Sequence, residues 1–272
     1  MNSANKSIPV VILAGGYGTR LGQETLSTPK PMVRIGEFPI LLHLMSHYLK
    51  FGFSNFVILG GYKCEVIKSY FDNFSATYAD VGYSMQGGQY ERSWSGKGAD
   101  PLGFKSNDWT VKVIDTGLNT LTSERLQRAK NYIMADTFMC TYGDGLSTID
   151  LNALLEFHSK SQSIASLTAF HPPSRFGEIE IDKLNLVSNF SEKPLMNTRV
   201  NGGFFVFESD IFSYTENNFQ PLESGVLEVL SKEKKLSAFE SDAWWQMMDT
   251  PRELQILNEL WMSGDAPWQP KV

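Results

Sequence analysis

The sequence predicts a mixed α/β fold: a mostly parallel sheet flanked by helices, with small β elements appended. Three observations carry that expectation. Pro9–Ala14 is a continuous apolar run rather than an alternating one, as in a strand buried on both faces. It stops at glycines, and strand-like and helix-like runs then alternate, the rhythm of βα units. The chain has 272 residues, 42% of them hydrophobic, which is enough to bury a substantial core.

Residues 15–31 carry Gly, Thr, Ser and Pro and read as a long loop. Pro39 then opens an amphipathic helix to about Lys50, with Leu42, Met45 and Leu49 on one face. Residues 56–59 form a second short strand and residues 65–74 a helix. The rhythm breaks over residues 75–109, where Gly-Gly, Ser-Gly, Gly-Lys-Gly and Asp-Pro alternate with Tyr83, Tyr90, Trp94 and Trp109. A long loop is expected there, of the kind that serves function or assembly. Its aromatic residues suit a core or an interface better than a cofactor site. Residues 109–114 predict a strand, 123–134 a helix and 138–142 another strand. Asp150 caps a helix running through His158. Ala165–Phe170 is a strand, followed by short β-like pieces at 177–181, 186–190 and 203–207. Residues 222–231 and 252–262 read as helices. No internal repeat and no Pro/Ser-rich linker appears. One domain over 1–272 is therefore expected, with residues 8–145 and 146–268 as its halves.

Composition excludes several classes. Collagen, coiled coil and a mostly disordered chain do not fit. Lys and Arg total 24 and Asp and Glu 30, a net charge of -6, and no Lys/Arg block is present. A nucleic-acid partner would need a dense basic surface, so none is expected. A small anionic ligand held by local cations remains compatible. Residues 8–14 are too short to cross a membrane and lead into glycines rather than a cleavage site. Cys64 and Cys140 are too few for a disulfide framework, so a reducing, cytoplasmic setting is expected. His43 and His47 are spaced i, i+4 without a third ligand, and His158 and His171 have no metal-ligand spacing. No GxSxG element supports serine hydrolysis.

Four constellations could carry chemistry. The first is Leu13-Ala14-Gly15-Gly16-Tyr17-Gly18-Thr19-Arg20-Leu21, followed by Pro29-Lys30-Pro31-Met32. A strand ending in glycines lets backbone N–H groups approach phosphate oxygens. Arg20 offers a planar fork of donors to the same oxygens, and Lys30 a second cation placed between two prolines. A dinucleotide fingerprint would need Gly where Leu21 stands, and no Gly-Lys-Ser/Thr completes a P-loop. The second is Thr141-Tyr142-Gly143-Asp144-Gly145, at the end of an apolar strand. Ligands of open α/β sheets bind beyond strand carboxyl ends, and an Asp there can hold a hard cation such as Mg²⁺. A plain Asp-Gly turn is the alternative. The third is residues 244–251, Trp-Trp-Gln-Met-Met-Asp-Thr-Pro. Asp249 is either the cap of the helix that Pro251 opens or the partner carboxylate of Asp144. The fourth joins Phe190-Ser191-Glu192-Lys193-Pro194 to Asn201-Gly202-Gly203-Phe204. Lys193 can bind a second phosphate, and Glu192 and Asn201 suit sugar hydroxyls. Two surface turns between short strands are the plainer reading.

Taken together, these motifs resemble the sugar-1-phosphate nucleotidyltransferases. The first signature carries the resemblance, and it extends over about residues 8–268. It includes Gly61-Tyr62-Lys63, Val113-Ile114-Asp115-Thr116-Gly117, Arg125-Leu126-Gln127-Arg128, Met248-Asp249-Thr250 and Ala266-Pro267-Trp268. The tail and Arg175-Phe176-Gly177 point to the cytidylyl branch, which joins CTP to glucose 1-phosphate with release of pyrophosphate. The resemblance implies a Rossmann-like fold, Mg²⁺ as cofactor and a homo-oligomer. It implies that Leu13, Ala14, Gly15, Gly16, Tyr17, Gly18, Thr19 and Arg20 cradle CTP, with Lys30 near the α-phosphate. Thr120, Arg125 and Gly143 would line the nucleotide site. Asp144 and Asp249 would hold the metal, and Glu192, Lys193 and Asn201 the sugar phosphate. Residues 8–145 would then be the nucleotide half and 146–268 the sugar-phosphate half. Arg20, Lys30 and Asp144 would carry catalysis. The branch has Gly-Gly where this chain has Ser123-Glu124, which bears on base choice. Transfer to another phosphorylated substrate, use of another NTP, and a non-catalytic sensing subunit on the same fold are the competing readings.

Overall fold

Strand β1 (Pro9–Ala14) is fully buried and lies inside a seven-stranded sheet. The computed structural model describes residues 5–95, 101–104, 108–172, 174, 176–216 and 218–269. The sheet order is β14 (Leu236–Glu240), β10 (Ala165–Phe170), β13 (Val200–Glu208), β8 (Thr137–Tyr142), β1, β4 (Asn55–Gly60) and β7 (Thr110–Asp115). The pairs β8–β1, β1–β4, β4–β7 and β10–β14 are parallel, and β13 runs antiparallel to both its neighbours. The predicted mostly parallel mixed sheet is therefore the observed one.

Alternation along each strand divides the core in two. Val10, Ile12, Phe56, Ile58, Phe204 and Val206 pack on one face, and Val11, Leu13, Val57, Leu59, Phe205 and Phe207 on the other. A strand covered on both faces has few polar positions, Thr141, Ser166 and Thr168 among them, which is why these segments read as near-continuous apolar runs. Each fully buried Leu, Ile or Phe contributes about 1.5–3 kcal/mol.

Helix α1 (Ile40–Lys50) starts where Pro39 predicts, but it is not half-exposed. Every residue from Ile40 to Leu49 is buried, including His43, Ser46 and His47. The C-terminal tail covers its outer side: Trp268 Nε1 donates to His43 Nδ1 over 3.1 Å, and Lys50 Nζ donates to Trp268 O over 2.5 Å.

Residues 75–109 are not the expected loop. Helix α2 (Cys64–Asp72) is followed by α3 (Phe74–Tyr78), and then β5 (Asp80–Gln86) and β6 (Gln89–Ser95) form a hairpin about Gly87 and Gly88, both at positive φ. The alternating polar pattern of a solvated two-stranded ribbon has too little apolar content to read as strand. Trp109 meets the expectation of a packing residue, contacting Phe71, Phe74 and Phe104. Residues 96–100 and 105–107 lie outside the described residues, as does Arg175; of Trp94 only the backbone is described.

The helix predicted over 123–134 is two short ones, α4 (Thr122–Arg128) and α5 (Lys130–Ile133). After β8 come β9 (Gly145–Ser147) and α6 (Leu151–Ser161), and Asp150 caps α6 by accepting from Asn152 N and Ala153 N, each at 2.9 Å. Strands β11 (Glu178–Ile181) and β12 (Val187–Ser191) make an exposed hairpin. Helix α7 (Ile211–Thr215) precedes a π-helical turn, Leu222–Leu227, that leads into α8 (Glu228–Lys232). Finally β15 (Trp245–Met247) pairs with β9, and α9 (Pro251–Ser263) closes the fold. Two two-residue strands, Arg34–Ile35 and Phe38–Pro39, pair before α1. No helix among the described residues is long and apolar enough to cross a membrane.

Candidate active site

The C-terminal ends of β1, β4, β7 and β8 share one sheet edge, and the antiparallel β13 brings its N-terminal end, with Asn201, to the same edge. A cavity of about 540 Å³ opens there. It is lined by Leu13, Ala14, Gly15, Gly16, Tyr17, Gly18, Thr19, Arg20, Lys30, Thr120, Arg125, Gly143 and Asp144, the whole set expected of a nucleotide site. Beside them stand Pro31, Leu118, Asn119, Leu121, Thr122, Tyr142, Pro221 and Glu223. Most ligand sites of open α/β sheets occupy this edge.

Local constraints explain the glycines. Gly18 sits at φ 65°, a left-handed conformation that a Cβ makes costly. At Gly15 a Cβ would collide with the Arg125 guanidinium. That guanidinium is buried, and both of its terminal nitrogens are engaged. It donates to Gly60 O (3.1 Å), Thr116 Oγ1 (2.6 Å), Gly117 O (2.7 Å), Gly15 O (3.0 Å) and Leu118 O (3.2 Å). Arg125 therefore ties together the loops after β1, β4 and β7. Burial holds its pKa below the usual arginine value. Thr120 Oγ1 donates to Thr116 O over 2.6 Å, and Tyr17 Oη donates to Asn119 Oδ1 over 2.6 Å.

Charge is concentrated at one end of the cavity. Lys30 enters on a short 3₁₀ turn after Pro29. Its Nζ lies 2.5 Å from Asp144 Oδ2 and also pairs with Asp249 Oδ1. Arg20 Nη1 lies 3.2 Å from Asp249 Oδ2, and the rest of this side chain is exposed. Two cations and two carboxylates thus neutralise one another. Asp144 Oδ1 is buried with no hydrogen-bond partner among the described residues. Burial raises the Asp144 pKa, and Lys30 opposes the shift.

Asp249 is not a helix cap. Thr250 caps α9, accepting from Glu253 N over 3.3 Å, while the Glu253 carboxylate accepts from Asp249 N and Thr250 N, each at 2.8 Å. This capping box leaves the Asp249 carboxylate free to face Lys30 and Arg20. Met248 N donates to Asp144 O over 2.8 Å, so the two carboxylates are fixed through adjacent backbone.

Asp249 also lines a second cavity of about 570 Å³, with Lys193, Trp245, Gln246, Phe176, Arg252 and others around it. Asp144 belongs to the first cavity and Asp249 to the second, and Lys30 is bonded to both. The remaining sugar-phosphate expectations are spread more widely. Glu192 forms an exposed pair with Lys193 at 3.4 Å and lines neither cavity. Asn201 is next to the first cavity, where its Nδ2 donates to Tyr142 Oη over 3.4 Å. Ser123 is buried and Glu124 pairs outward with Arg128 at 2.6 Å, and neither lines the first cavity.

Sequence reasoning assigned no role to Glu223 or Arg252. Glu223 lay inside an ordinary helical pattern, with no local signal. Arg252 follows the Asp249-Thr250-Pro251 triplet at the start of a helix, where cations oppose the dipole, and that mismatch is a signal the sequence does contain.

The family model described as nucleotidyl transferase matches residues 9–246. The chain belongs to the nucleotidyl transferase family. It is 41% identical to the glucose-1-phosphate cytidylyltransferase of Salmonella typhimurium over 95% of this chain and 98% of that protein. It is 34% identical to the probable glucose-1-phosphate cytidylyltransferase of Bacillus subtilis over 95% and 98%. Among solved structures, apo UDP-glucose pyrophosphorylase superposes with a TM-score of 0.69 at 15% identity, covering 94% of this chain and 98% of that one. That likeness shows the shared fold. The self-neutralised Lys30–Asp144–Asp249–Arg20 cluster stands between the two cavities.

Proposed function

We propose that this chain transfers the cytidylyl group of CTP to α-D-glucose 1-phosphate, giving CDP-glucose and pyrophosphate. The observation that carries the reaction type is the Asp144–Lys30–Asp249 cluster between two cavities at one sheet edge. The 41% and 34% identities to glucose-1-phosphate cytidylyltransferases support the choice of base and sugar. In this reading CTP lies along the Gly15–Thr19 loop and Thr120 in the first cavity, and the hexose 1-phosphate lies between Lys193 and the Tyr142 side of the same cavity. Residues 8–145 form the nucleotide half and 146–268 the sugar-phosphate half of one domain; the seven-stranded sheet draws strands from both.

Backbone N–H groups of the loop from Gly15 to Thr19 receive the triphosphate oxygens, and Arg20 adds its fork. Lys30 holds the α-phosphate, exchanging part of its carboxylate contact for phosphate oxygen. Thr120, Gly143 and Tyr17 shape the nucleoside end, and Arg125 holds the loops that form it. Lys193 and Asn201, with Glu192, hold the sugar phosphate. A phosphate oxygen of the hexose attacks the α-phosphorus in line, and pyrophosphate leaves. The attacking oxygen is already anionic at neutral pH, so no general base is required. The obstacle is the approach of two polyanions, which fixed cations in a shaped site overcome.

Asp144 and Asp249 suit Mg²⁺. Asp144 Oδ1 is a hard oxygen without a partner among the described residues, and magnesium bound to phosphates takes one or two carboxylates. No group of three or more His, Cys, Asp or Glu able to hold a metal occurs among the described residues, so the two carboxylates would hold the ion together with substrate oxygens. When bound, the ion supplies charge neutralisation at the phosphoryl oxygens.

A homo-oligomer and a reducing, cytoplasmic setting complete the proposal. Ile179, Ile181, Val187 and Phe190 on the β11–β12 hairpin are each more than half exposed, which supports burial between copies. Cys64 and Cys140 are free thiols, which suits a reducing compartment. A pyrophosphate-release assay over a panel of NTPs and sugar phosphates tests the reading. Turnover with CTP and glucose 1-phosphate is expected. Turnover only with another base or another acceptor overturns it.

A further inference from the structure

Glu223 belongs to the π-helical turn Leu222–Leu227, a rare geometry often found at functional sites. Leu222 N donates to Thr122 Oγ1 over 2.7 Å and anchors this turn to α4. The turn winds tightly at buried Gly225, where a Cβ would press on the Asn218 side chain. The turn sets the Glu223 carboxylate on the wall of the first cavity.

There Glu223 Oε1 accepts a hydrogen bond from Tyr142 Oη. The tyrosine is held on both sides. Its ring meets Phe205 edge-on at 5.5 Å and 88°, and it covers Gly203, which lies at φ 80° and where a side chain would collide with the ring. Asn201 Nδ2 donates to the same hydroxyl, and Asn201 Oδ1 accepts from Gly203 N over 2.9 Å. Counting donors fixes the polarity of this chain. The phenol has one proton, and Glu223 takes it. Glu223 Oε2 has no hydrogen-bond partner among the described residues. At this point the carboxylate therefore presents a free acceptor to the cavity.

A carboxylate acceptor repels phosphate, and the phosphates have Arg20, Lys30 and the loop amides to bind. What it selects is an uncharged donor, a sugar hydroxyl. Tyr142 and Asn201 stand on β8 and β13, across β1 from β4 and β7. Asn201 is one of the residues that the proposed function gives to the sugar phosphate, and its bond to Tyr142 sets Tyr142 and Glu223 beside that acceptor.

We propose that Glu223, oriented by Tyr142, is a specificity-determining residue that accepts a hydrogen bond from a ring hydroxyl of the hexose 1-phosphate. Tyr142 is its positioning residue. The proposal rests on the reading of the chain as a hexose-1-phosphate cytidylyltransferase.

The test compares wild type, Glu223→Gln and Tyr142→Phe by steady-state pyrophosphate release. Substrates are CTP or dCTP with glucose 1-phosphate or its 2-, 3-, 4- and 6-deoxy analogues. Glutamine keeps the size of the side chain and an acceptor for Tyr142, but replaces the free acceptor with a donor. Glu223→Gln is expected to raise KM for glucose 1-phosphate about tenfold or more and leave KM for CTP unchanged. One deoxy analogue should lose a similar factor on wild type and nothing further on Glu223→Gln. Tyr142→Phe should shift the same KM by a smaller factor. A change in KM for CTP or in the CTP/dCTP ratio instead assigns Glu223 to the nucleoside and overturns the proposal. Unchanged constants for both substrates overturn it as well. A wild type inactive with every hexose 1-phosphate overturns the functional reading itself, an outcome visible before either variant is made.

Discussion

Lys30 is the side chain on which the cleft's charge balance turns. Its ammonium joins the carboxylates of both cavities, and Pro29 and Pro31 fix the backbone that carries it. In the proposed reaction, substrate phosphates compete with the two carboxylates for Lys30 and Arg20. Lys30→Ala and Asp144→Asn are each expected to lower kcat about 100-fold or more, the scale of losing one preorganised stabilising group. Circular dichroism should show an unchanged fold, and near-normal turnover would remove the residue from the mechanism. Glu124 illustrates the opposite case. It differs from the glycine expected at its position, yet it points to Arg128 and away from the cavity. Glu124→Gly should leave the ranking of CTP, UTP and dTTP unchanged when their kcat/KM values are compared.

At the scale of elements, one buried arginine and one buried helix organise the edge. Arg125 carries five hydrogen bonds from α4 to the loops after β1, β4 and β7. Arg125→Met leaves those acceptors unsatisfied, so the urea midpoint should fall by an amount equal to about 3 kcal/mol or more. KM for CTP should rise with it, because the same loops line the first cavity. Helix α1 gives the pH dependence. Burial lowers the pKa of His43 to about 4, and of His47 to about 4. A depressed histidine favours the neutral form in the folded state. Its contribution is intact above the unfolded value of 6.5 and is lost as pH falls from there toward 4. Each group then costs about 1.4 kcal/mol per pH unit. Tm should therefore decline steadily between pH 6.5 and 4. His47→Leu should flatten the decline by removing one titrating group, and His47 Nε2 has no hydrogen-bond partner among the described residues to lose.

At the scale of the whole molecule, two cores grip one sheet while the ligand edge stays open and charged. That arrangement makes stability sensitive to ligand. Mg²⁺ and CTP at about a hundred times Kd should add about 2.7 kcal/mol to the unfolding free energy. Calorimetric scans with CTP alone, Mg²⁺ alone and both together measure it. A Tm that ignores CTP and Mg²⁺ together would count against the first cavity as the nucleotide site.

The sheet was legible because its central strands are buried on both faces. Burial on both sides leaves room for few polar residues, only small hydroxyls such as Ser166 and Thr168 on β10, so β1, β4, β8 and β10 each announce themselves locally. The glycine loop, Lys30, Asp144 and Asp249 were legible for a related reason: phosphate chemistry restricts residue type at fixed spacing. The β5–β6 hairpin was not legible, because a solvated ribbon lacks that restriction. Strands β9 and β15 were missed because three-residue strands exist only through their pairing with each other. The sequence by itself determined the mostly parallel α/β sheet and the cation–carboxylate set, since both are written in consecutive residues. Only the tertiary structure decided that Arg125 spends most of its donors on backbone carbonyls and that Glu223 meets Tyr142. Those contacts join residues up to a hundred or more positions apart, and no local pattern can encode a partner that folding alone brings near.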